Sequence, residues 1–281
     1  MKFLEIVESD LLIDSDGIQL TAKLSLASPE APLVVFVHGF AGDMNEGGLF
    51  REASAFFQEQ GFSTLRFDFR GCGDSSDFPF RQIRLKDLQV DLKNVFRFVH
   101  SQKEFRPRAI GVIGFSLGAA LSILCNPPGI KAHVYWSPAI FTANDMYPRY
   151  QTREIQREIK NKGFFLKAGL EVGPEFIDDL LQNQIDFYIR NVKAQVLLVH
   201  GGLDARIPAS SSRQASKLFK HAKLCYIPHA DHAFRRQGEG IRHLLFSASL
   251  DWFKKHLPKD RPEISNNRPQ YSGDLFDNLY V

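Results

Sequence analysis

Hydrophobic and polar positions along the chain alternate between two patterns. Short, continuous apolar runs are separated by longer stretches in which apolar residues recur with a helical period. The first pattern is typical of strands that are buried on both faces of a sheet, and the second of amphipathic helices. Strands are therefore predicted at residues 32–37, 64–69, 109–113, 132–136, 195–199 and 223–227. Helices are predicted at residues 48–60, 83–101, 117–125, 210–220 and 240–256.

The order of these elements predicts the fold class. Strands that alternate with helices indicate an α/β fold with a mainly parallel sheet and helices on both faces. Asp16-Gly17, between apolar segments at 11–13 and 18–26, predicts an opening hairpin that adds antiparallel strands at one edge. Ligands of such sheets bind at the carboxyl ends of the strands, so the residues that follow each strand are the first candidates for function.

Residues 141–190 interrupt the alternation. Their pattern predicts a helix, then an apolar segment at 164–166 bounded by glycines, and then another helix. Beyond the last predicted helix, the tail from Pro258 holds three prolines among polar residues. This composition is compatible with disorder or with packing against another surface.

Composition and charge narrow the class of protein. Hydrophobic residues make up 44% of the chain and charged residues 24%, which indicates a soluble globular protein with enough apolar material for a large core. The 35 basic residues are nearly balanced by 32 acidic ones, so no nucleic-acid partner is expected. A membrane-spanning helix needs about 18 consecutive apolar residues, and no apolar run in the chain approaches this length. We therefore also expect no stable membrane insertion.

The cysteines and the N-terminal residues bear on metal binding and location. Cys72, Cys125 and Cys225 are odd in number and far apart, and no Cys/His spacing typical of a metal site is present. No metal is therefore expected. The first ten residues lack the apolar segment of a secretory signal. Together these features predict a reducing, cytoplasmic location.

A candidate nucleophile follows the predicted strand at 109–113. The sequence Gly114-Phe-Ser-Leu-Gly118 lies between this strand and a predicted helix. Glycines on both sides of Ser116 remove side chains that would clash in a sharp turn, and such a turn exposes the serine hydroxyl at the top of the sheet. The pattern alone arises by chance in about one chain in ten of this length, but its place between strand and helix makes it specific.

A serine hydroxyl needs a general base at neutral pH, and two later strand ends supply candidates for the base and for the acid that orients it. Asp204 follows the strand at 195–199, just before Pro208, and His232 follows the strand at 223–227. The order of serine, acid and histidine along the chain is the one that accompanies a serine on a strand-to-helix turn. We predict that His232 is the general base and that Asp204 orients its imidazole.

Other residues compete for both roles. His200, His221 and His229 lie in the same part of the chain and are alternative bases, and Asp231 is the alternative acid. Asp231 directly precedes the predicted base, and neighbouring side chains in a loop seldom face each other. An acid that is held at the end of another strand is the better orienting group, which favours Asp204.

The loop after the strand at 32–37 is a candidate for binding a developing negative charge. It reads His38-Gly39-Phe40, and its backbone N–H groups lie at the edge where Ser116 is expected. The predicted oxyanion hole consists of the backbone N–H groups of Phe40 and Leu117. By itself, the His38-Gly39 pair is equally compatible with a simple turn after a strand.

With these residues in place, the chain resembles the α/β-hydrolase superfamily over about residues 10–257. It is similar to small bacterial carboxylesterases, including feruloyl (cinnamoyl) esterases, and to monoglyceride lipase-like enzymes. The resembling segments, in chain order, are His38–Phe40, Phe67–Ser75, Gly114–Gly118, Gly201–Asp204 with Ile207-Pro208, and Ala230–His232.

The resemblance implies an α/β-hydrolase fold with a mostly parallel sheet of about eight strands and an inserted lid. The lid corresponds to residues 141–190, the core to 1–140 and 191–257, and residues 258–281 form a C-terminal tail. The resemblance also implies hydrolysis of carboxylic esters without a metal or an organic cofactor. In such enzymes the stretch around Arg70 is a structural loop, so no catalytic role is assigned to its side chains.

The predicted lid supplies the candidates for the substrate pocket. Relatives differ most in the lid, and aromatic residues in this segment are candidates for lining an acyl or aromatic pocket. These candidates are Tyr147, Tyr150, Phe164, Phe165 and Tyr188. Packing of the same residues between lid and core is the alternative for each of them.

These observations lead to a functional hypothesis with alternatives. The first is a serine hydrolase that cleaves small-molecule carboxylic esters through a Ser116-His232-Asp204 triad and an acyl-enzyme. The second is hydrolysis of another acyl bond, such as a thioester or a peptide. The third is a catalytically silent fold that serves as a binding module, which has no chemical need for a complete triad. A homo-oligomer is compatible with the sequence.

Overall fold

The computed structural model describes residues 8–75, 77–235 and 239–257. Its strands are β1 (Glu8–Ser15), β2 (Ile18–Ser25), β3 (Leu33–Val37), β4 (Ser63–Phe67), β5 (Ile110–Phe115), β6 (Ile130–Trp136), β7 (Phe165–Lys167), β8 (Leu170–Val172), β9 (Gln195–Gly201) and β10 (Ala222–Ile227). The α-helices are α1 (Leu49–Glu59), α2 (Leu85–Ser101), α3 (Leu117–Cys125), α4 (Thr142–Asp145), α5 (Arg153–Lys162), α6 (Pro174–Gln182), α7 (Ile185–Tyr188), α8 (Ala209–Ser216) and α9 (Glu239–His256). Short 3₁₀ helices cover Glu46–Gly48, Phe80–Gln82, Tyr147–Tyr150 and Ile189–Asn191.

Eight of the strands form one sheet in the order β1-β2-β4-β3-β5-β6-β9-β10. The pairs β1·β2 and β2·β4 are antiparallel, and the other neighbours are parallel. The hairpin between β1 and β2 turns at Asp16 and Gly17, whose positive φ angles of 53° and 86° suit a two-residue turn. The predicted α/β fold class and the antiparallel edge are thus confirmed.

The inner strands are covered by helices on both faces. In β3, Leu33, Val35 and Val37 join the apolar core beneath α2 and α3, whereas Val34 and Phe36 join the core beneath α1 and α9. All five residues are buried. This two-sided burial is why the strands have continuous apolar runs instead of an alternating pattern.

The segment at 141–190 lies outside the eight-stranded sheet. Its apolar run at 164–166 overlaps β7, which pairs with β8 in a small antiparallel hairpin that turns at Ala168 and Gly169. Strands of three residues are too short to show an alternating pattern, so the sequence did not predict this hairpin. The segment is tied to α2 through Arg84, whose guanidinium donates hydrogen bonds of 3.0 and 2.8 Å to the carboxylate of Asp179 on α6.

Some predicted boundaries are wrong. The strand predicted at 64–69 ends at Phe67, because the carboxylate of Asp68 accepts the N–H groups of Met44 and Asp74 at 2.6 and 2.9 Å and turns the chain. The helix predicted at 210–220 ends at Ser216. The predicted tail at 258–281 lies outside the described residues. None of the described helices is both long and apolar enough to cross a membrane.

The buried side chain of His133 on β6 should make folding sensitive to acid. His133 is fully buried, and within the described residues neither ring nitrogen has a hydrogen-bond partner. Burial lowers the pKa of His133 from 6.5 to about 3, so below pH 6.5 the unfolded chain binds a proton that the folded protein excludes. Stability therefore falls as the pH decreases through this range.

Because its pKa is lowered in the folded protein, His133 should decrease the free energy of unfolding by about 2 kcal/mol when the pH falls from 6.5 to 5. Replacing His133 with leucine should remove this part of the loss, as measured by urea denaturation at both pH values. His221→Gln, at an exposed position, is the control and should leave the pH dependence unchanged. Equal acid sensitivity in His133→Leu and the unchanged protein would contradict the prediction.

Candidate active site

Ser116 occupies the turn between β5 and α3. Its φ of 52° and ψ of −115° are strained for a residue with a side chain, as expected for a serine on a sharp strand-to-helix turn. The flanking glycines permit this turn. A Cβ on Gly114 would lie 2.7 Å from Cα of Ala119, and a Cβ on Gly118 would lie 2.1 Å from the carbonyl oxygen of Val37. The tight approach of helix and strands holds Ser116 at the carboxyl edge of the sheet.

Replacing Gly118 with alanine should destabilise the protein by about 3 kcal/mol, because the added methyl group meets backbone atoms of β3 that cannot move aside. Chemical denaturation would measure this change. Gly240→Ala is the matched control, since Gly240 lies on α9 and a Cβ there would meet no atom within 4 Å. A variant at Gly118 that is as stable as the Gly240 variant would show that the close approach is not required.

Three side chains from the ends of β5, β9 and β10 meet at this edge. The hydroxyl of Ser116 lies 3.1 Å from Nε2 of His232, and Nδ1 of His232 lies 2.7 Å from Oδ2 of Asp204. His232 is buried and packs against the ring of Phe115 at 5.1 Å. With the proton on Nδ1 donated to Asp204, Nε2 is free to accept the proton of Ser116.

Asp204 is held as a carboxylate by a set of donors. Its Oδ1 accepts the backbone N–H groups of Arg206 and Ile207 at 2.8 and 2.9 Å, and its Oδ2 also lies 3.2 Å from Nε2 of His200. Burial alone would raise the pKa of Asp204. The hydrogen bonds from His200, His232 and Ile207 and the charge of His232 outweigh that effect, so its pKa lies well below the usual range.

Among the described residues, no hydrogen bond joins a competing residue to Ser116 or His232. His221 and His229 are exposed, and His221 precedes β10 at the opposite edge of the sheet. Asp231 accepts the backbone N–H of Arg235 through Oδ1 at 2.8 Å. His200 is fully buried behind Asp204, where its Nδ1 lies 2.7 Å from Oγ of Ser212. The contact between His200 and Asp204 was not predicted from the sequence. The available signal was that the two residues are only four positions apart, on either side of the end of β9.

The N–H groups predicted as an oxyanion hole are placed beside Ser116. Leu117 is the first residue of α3, so its N–H has no partner inside the helix. In the part of the chain that the structure describes, no hydrogen bond to the N–H of Phe40 or of Leu117 is found. A Cβ on Gly39 would lie 3.3 Å from Cβ of Ser116, so the loop that contains Phe40 passes directly over the serine. Both groups are thus available to a ligand on Ser116.

Two buried side chains hold this loop in place. Nδ1 of His38 donates to the carbonyl of Gly39 at 2.9 Å, and its Nε2 accepts the N–H of Phe69 at 3.1 Å. Burial lowers the pKa of His38 to about 4, so its ring is neutral. The carboxyl group of Glu46 accepts the N–H of Gly39 at 2.6 Å, and burial raises its pKa to about 7. Glu46 was not singled out in the sequence.

The aromatic candidates for the pocket separate into two sets. Tyr150 and Phe165 are buried and lie 5.4 Å apart, and Tyr150 is 6.2 Å from Phe40. Phe164 instead lies beneath the guanidinium of Arg81 at 5.6 Å. Tyr188 is 36% exposed, with its ring against the exposed Phe187, and Tyr147 is half-buried against the core. Tyr150 thus adjoins the loop of the expected oxyanion hole, and Phe165 packs against Tyr150.

A residue of the segment at 141–190 that the sequence did not indicate packs closely against this loop. Phe176 on α6 stacks on Phe40 with ring centroids 4.5 Å apart. Phe80 also contacts Phe40, with ring centroids 5.8 Å apart. Beneath them, a narrow apolar cavity is bordered by Phe40, Leu117 and Leu121. Among the described residues, no group of three or more His, Cys, Asp or Glu side chains is arranged to hold a metal ion.

A mostly parallel eight-stranded sheet that carries a serine on a strand-to-helix turn, with a histidine and an aspartate at neighbouring strand ends, defines the α/β-hydrolase class. Residues 34–242 match the model of the alpha/beta hydrolase family, and the chain belongs to this family. The resemblance found in the sequence is thereby confirmed.

Individual relatives extend this result. The chain is 33% identical over 288 residues to an uncharacterized 31.7 kDa protein in the traX-finO intergenic region of Escherichia coli, covering 86% of this chain and 97% of that one. It is 31% identical over 108 residues to thiohydrolase aneE of Aspergillus aculeatus, a match that covers 38% of this chain and 33% of that protein. Its fold resembles that of Est1E from Butyrivibrio proteoclasticus, solved with ferulic acid bound, with a TM-score of 0.77 and 23% sequence identity. The match covers 88% of this chain and 99% of Est1E.

Proposed function

We propose that this protein is a serine hydrolase that cleaves carboxylic esters of small molecules through an acyl-enzyme. The observation that carries the proposal is the unbroken pair of hydrogen bonds, 3.1 Å from Ser116 to His232 and 2.7 Å from His232 to Asp204. The strained turn at Ser116 and the unpaired N–H groups of Phe40 and Leu117, within the described part of the chain, support it. A module that only binds a partner has no chemical need for this arrangement.

The proposed reaction has two steps. Nε2 of His232 takes the proton of Ser116 as its oxygen attacks the ester carbonyl, and the N–H groups of Phe40 and Leu117 stabilise the tetrahedral oxyanion. His232 then gives this proton to the departing alcohol. Water, deprotonated by His232, hydrolyses the acyl-enzyme and restores Ser116. Asp204 fixes the imidazole tautomer and stabilises its cationic form throughout.

A thioester substrate is the second candidate. The same nucleophile and oxyanion hole act on both acyl bonds, and the matching segment of thiohydrolase aneE favours this alternative. We further propose a reducing, cytoplasmic location, because the three cysteines lie far apart in the sequence and two of them, Cys72 and Cys125, are buried.

Rapid mixing with matched aryl esters and thioesters of short acyl chains tests this proposal. An acyl-enzyme mechanism predicts that the first turnover releases alcohol or thiol before the acid, and that the protein gains the mass of the acyl group on the peptide that contains Ser116. The ester-to-thioester ratio of kcat/KM then decides between the two substrate classes. Simultaneous release of both products, with no acyl adduct, would count against the mechanism.

A further inference from the structure

A cleft adjoins the predicted catalytic histidine. It is formed by the loop after β9 and the loop after β10, and His232 itself is part of its wall. The other lining residues are Leu203, Ala205, Arg206, Asp231, Ala233 and Arg235. A group that occupies this cleft would therefore lie next to the imidazole that protonates the leaving group.

Both arginines of the cleft have an anchored backbone and an exposed side chain. The N–H of Arg206 donates to the carboxylate of Asp204 at 2.8 Å, and its carbonyl accepts the guanidinium of Arg149 at 2.7 Å. The N–H of Arg235 donates to Asp231 at 2.8 Å. In the described part of the chain, no carboxylate lies within 4.0 Å of either of the two guanidinium groups. Their positive charges are thus available to a ligand.

The side chains reach towards the opposite wall of the site. A Cβ on Gly47 would lie 2.5 Å from Nη2 of Arg235, so this guanidinium extends from the histidine loop to the loop that supports Gly39. Burial raises the pKa of Glu46 to about 7, and the charges of Arg235 and Arg206 act in the opposite direction. Both arginines are therefore close to Glu46, which is bonded to the N–H of Gly39.

Two acidic groups near this pair, Glu46 and Asp231, already accept backbone N–H groups. The charge of Arg206 also acts to lower the pKa values of Lys167 and Tyr150, and the bond from Arg149 to its carbonyl shows that its loop contacts the segment at 141–190. Asp231 is the acid in the cleft wall, and one of its oxygens is already occupied by a backbone N–H. Guanidinium groups match the geometry of carboxylate and phosphate oxygens and can bind them through two parallel hydrogen bonds.

We propose that Arg206 and Arg235 bind an anionic group on the alcohol or thiol part of the substrate. The leaving atom takes its proton from Nε2 of His232, so the leaving group departs past the wall that the two arginines share with this residue. The enzyme then prefers acyl esters or thioesters whose leaving group carries a carboxylate or a phosphate. This inference rests on the proposed hydrolase function and specifies its substrate class.

Matched aryl butyrates test the preference. The para-carboxylate and the para-carboxamide of phenyl butyrate differ in charge but little in shape, and a para-phosphate ester separates phosphate from carboxylate recognition. After the rate of each ester with hydroxide alone is taken into account, we expect kcat/KM to be higher for the anionic esters. Arg206→Gln and Arg235→Gln should each reduce that preference about fivefold. Arg106→Gln, at the opposite edge of the sheet, is the matched control and should leave the preference unchanged.

Labelling of Ser116 by a fluorophosphonate distinguishes failure of this inference from failure of the hydrolase proposal. If Ser116 is not labelled and no ester is cleaved, both are overturned. If Ser116 is labelled and charged and neutral esters react equally in every variant, only the anionic preference is overturned. If Ser116 is labelled but no butyrate is cleaved, para-hydroxybenzoate should slow the labelling of Ser116 more than para-hydroxybenzamide does. This difference between the two compounds should disappear when either arginine is replaced. Equal protection by the two compounds would overturn the preference.

Discussion

Replacing His232 with alanine should lower kcat by about 10⁶. Without the imidazole, the 3.1 Å contact to Nε2 is lost, and no other side chain among the described residues is hydrogen-bonded to Ser116 to accept its proton. The leaving group also loses its proton donor, so both steps of acyl transfer are affected. The loss should appear in kcat for a short-chain aryl ester, with the enzyme concentration taken from protein absorbance and the fold checked by thermal unfolding.

His229→Ala is the matched control for this change. His229 lies in the same loop but is exposed, so its replacement should alter kcat by less than about twofold. A folded His232→Ala variant that retains more than about a tenth of the activity would contradict the proposed role. Equal losses in the two variants would point to a general effect on the loop.

Replacing Asp204 with asparagine should lower kcat by about 10⁴ while the protein stays folded. In the unchanged protein, Oδ1 of Asp204 accepts the N–H groups of Arg206 and Ile207 at 2.8 and 2.9 Å. Asparagine keeps an oxygen that can accept both groups. Its amide NH₂, however, donates to Nδ1 of His232 where the carboxylate accepted. The imidazole then carries its proton on Nε2 and cannot accept the proton of Ser116.

Asp231→Asn tests the competing assignment of the acid. The amide oxygen of the new side chain can still accept the N–H of Arg235, a contact of 2.8 Å in the unchanged protein, so kcat should change little. Steady-state kinetics of both variants on a neutral ester would compare them without involving the charge of the cleft. If Asp231→Asn showed the larger loss in kcat, the orienting acid would be Asp231 and not Asp204.

The parts of the fold and the site that follow local patterns could be predicted from the sequence. Two-sided burial of β3 and β5 produces continuous apolar runs, and the glycines around Ser116 mark a turn whose geometry is local. Asp204 and His232 follow directly after strands, so the parallel order of the sheet brings them to the same edge. Each of these predictions required only the nearest residues in the chain.

Contacts between distant segments could not be predicted in this way. Phe176 stacks on Phe40 because α6 folds back over the loop after β3, and no periodic pattern encodes that approach. The hydrogen bond from Gly39 to Glu46 depends on a chain reversal at Glu46, whose positive φ of 46° is unusual outside glycine. The cleft lined by Arg206 and Arg235 likewise forms only when the loops after β9 and β10 meet.

Reaction of the purified protein with a fluorophosphonate, followed by mass spectrometry of its peptides, tests the central claim most directly. The contact of 3.1 Å between Ser116 and His232 predicts a single adduct on Ser116, lost in Ser116→Ala and strongly reduced in His232→Ala. Ser101→Ala, at an exposed serine on α2, should label like the unchanged protein. An adduct on another residue, or none on folded protein, would contradict the claim that Ser116 is an activated nucleophile.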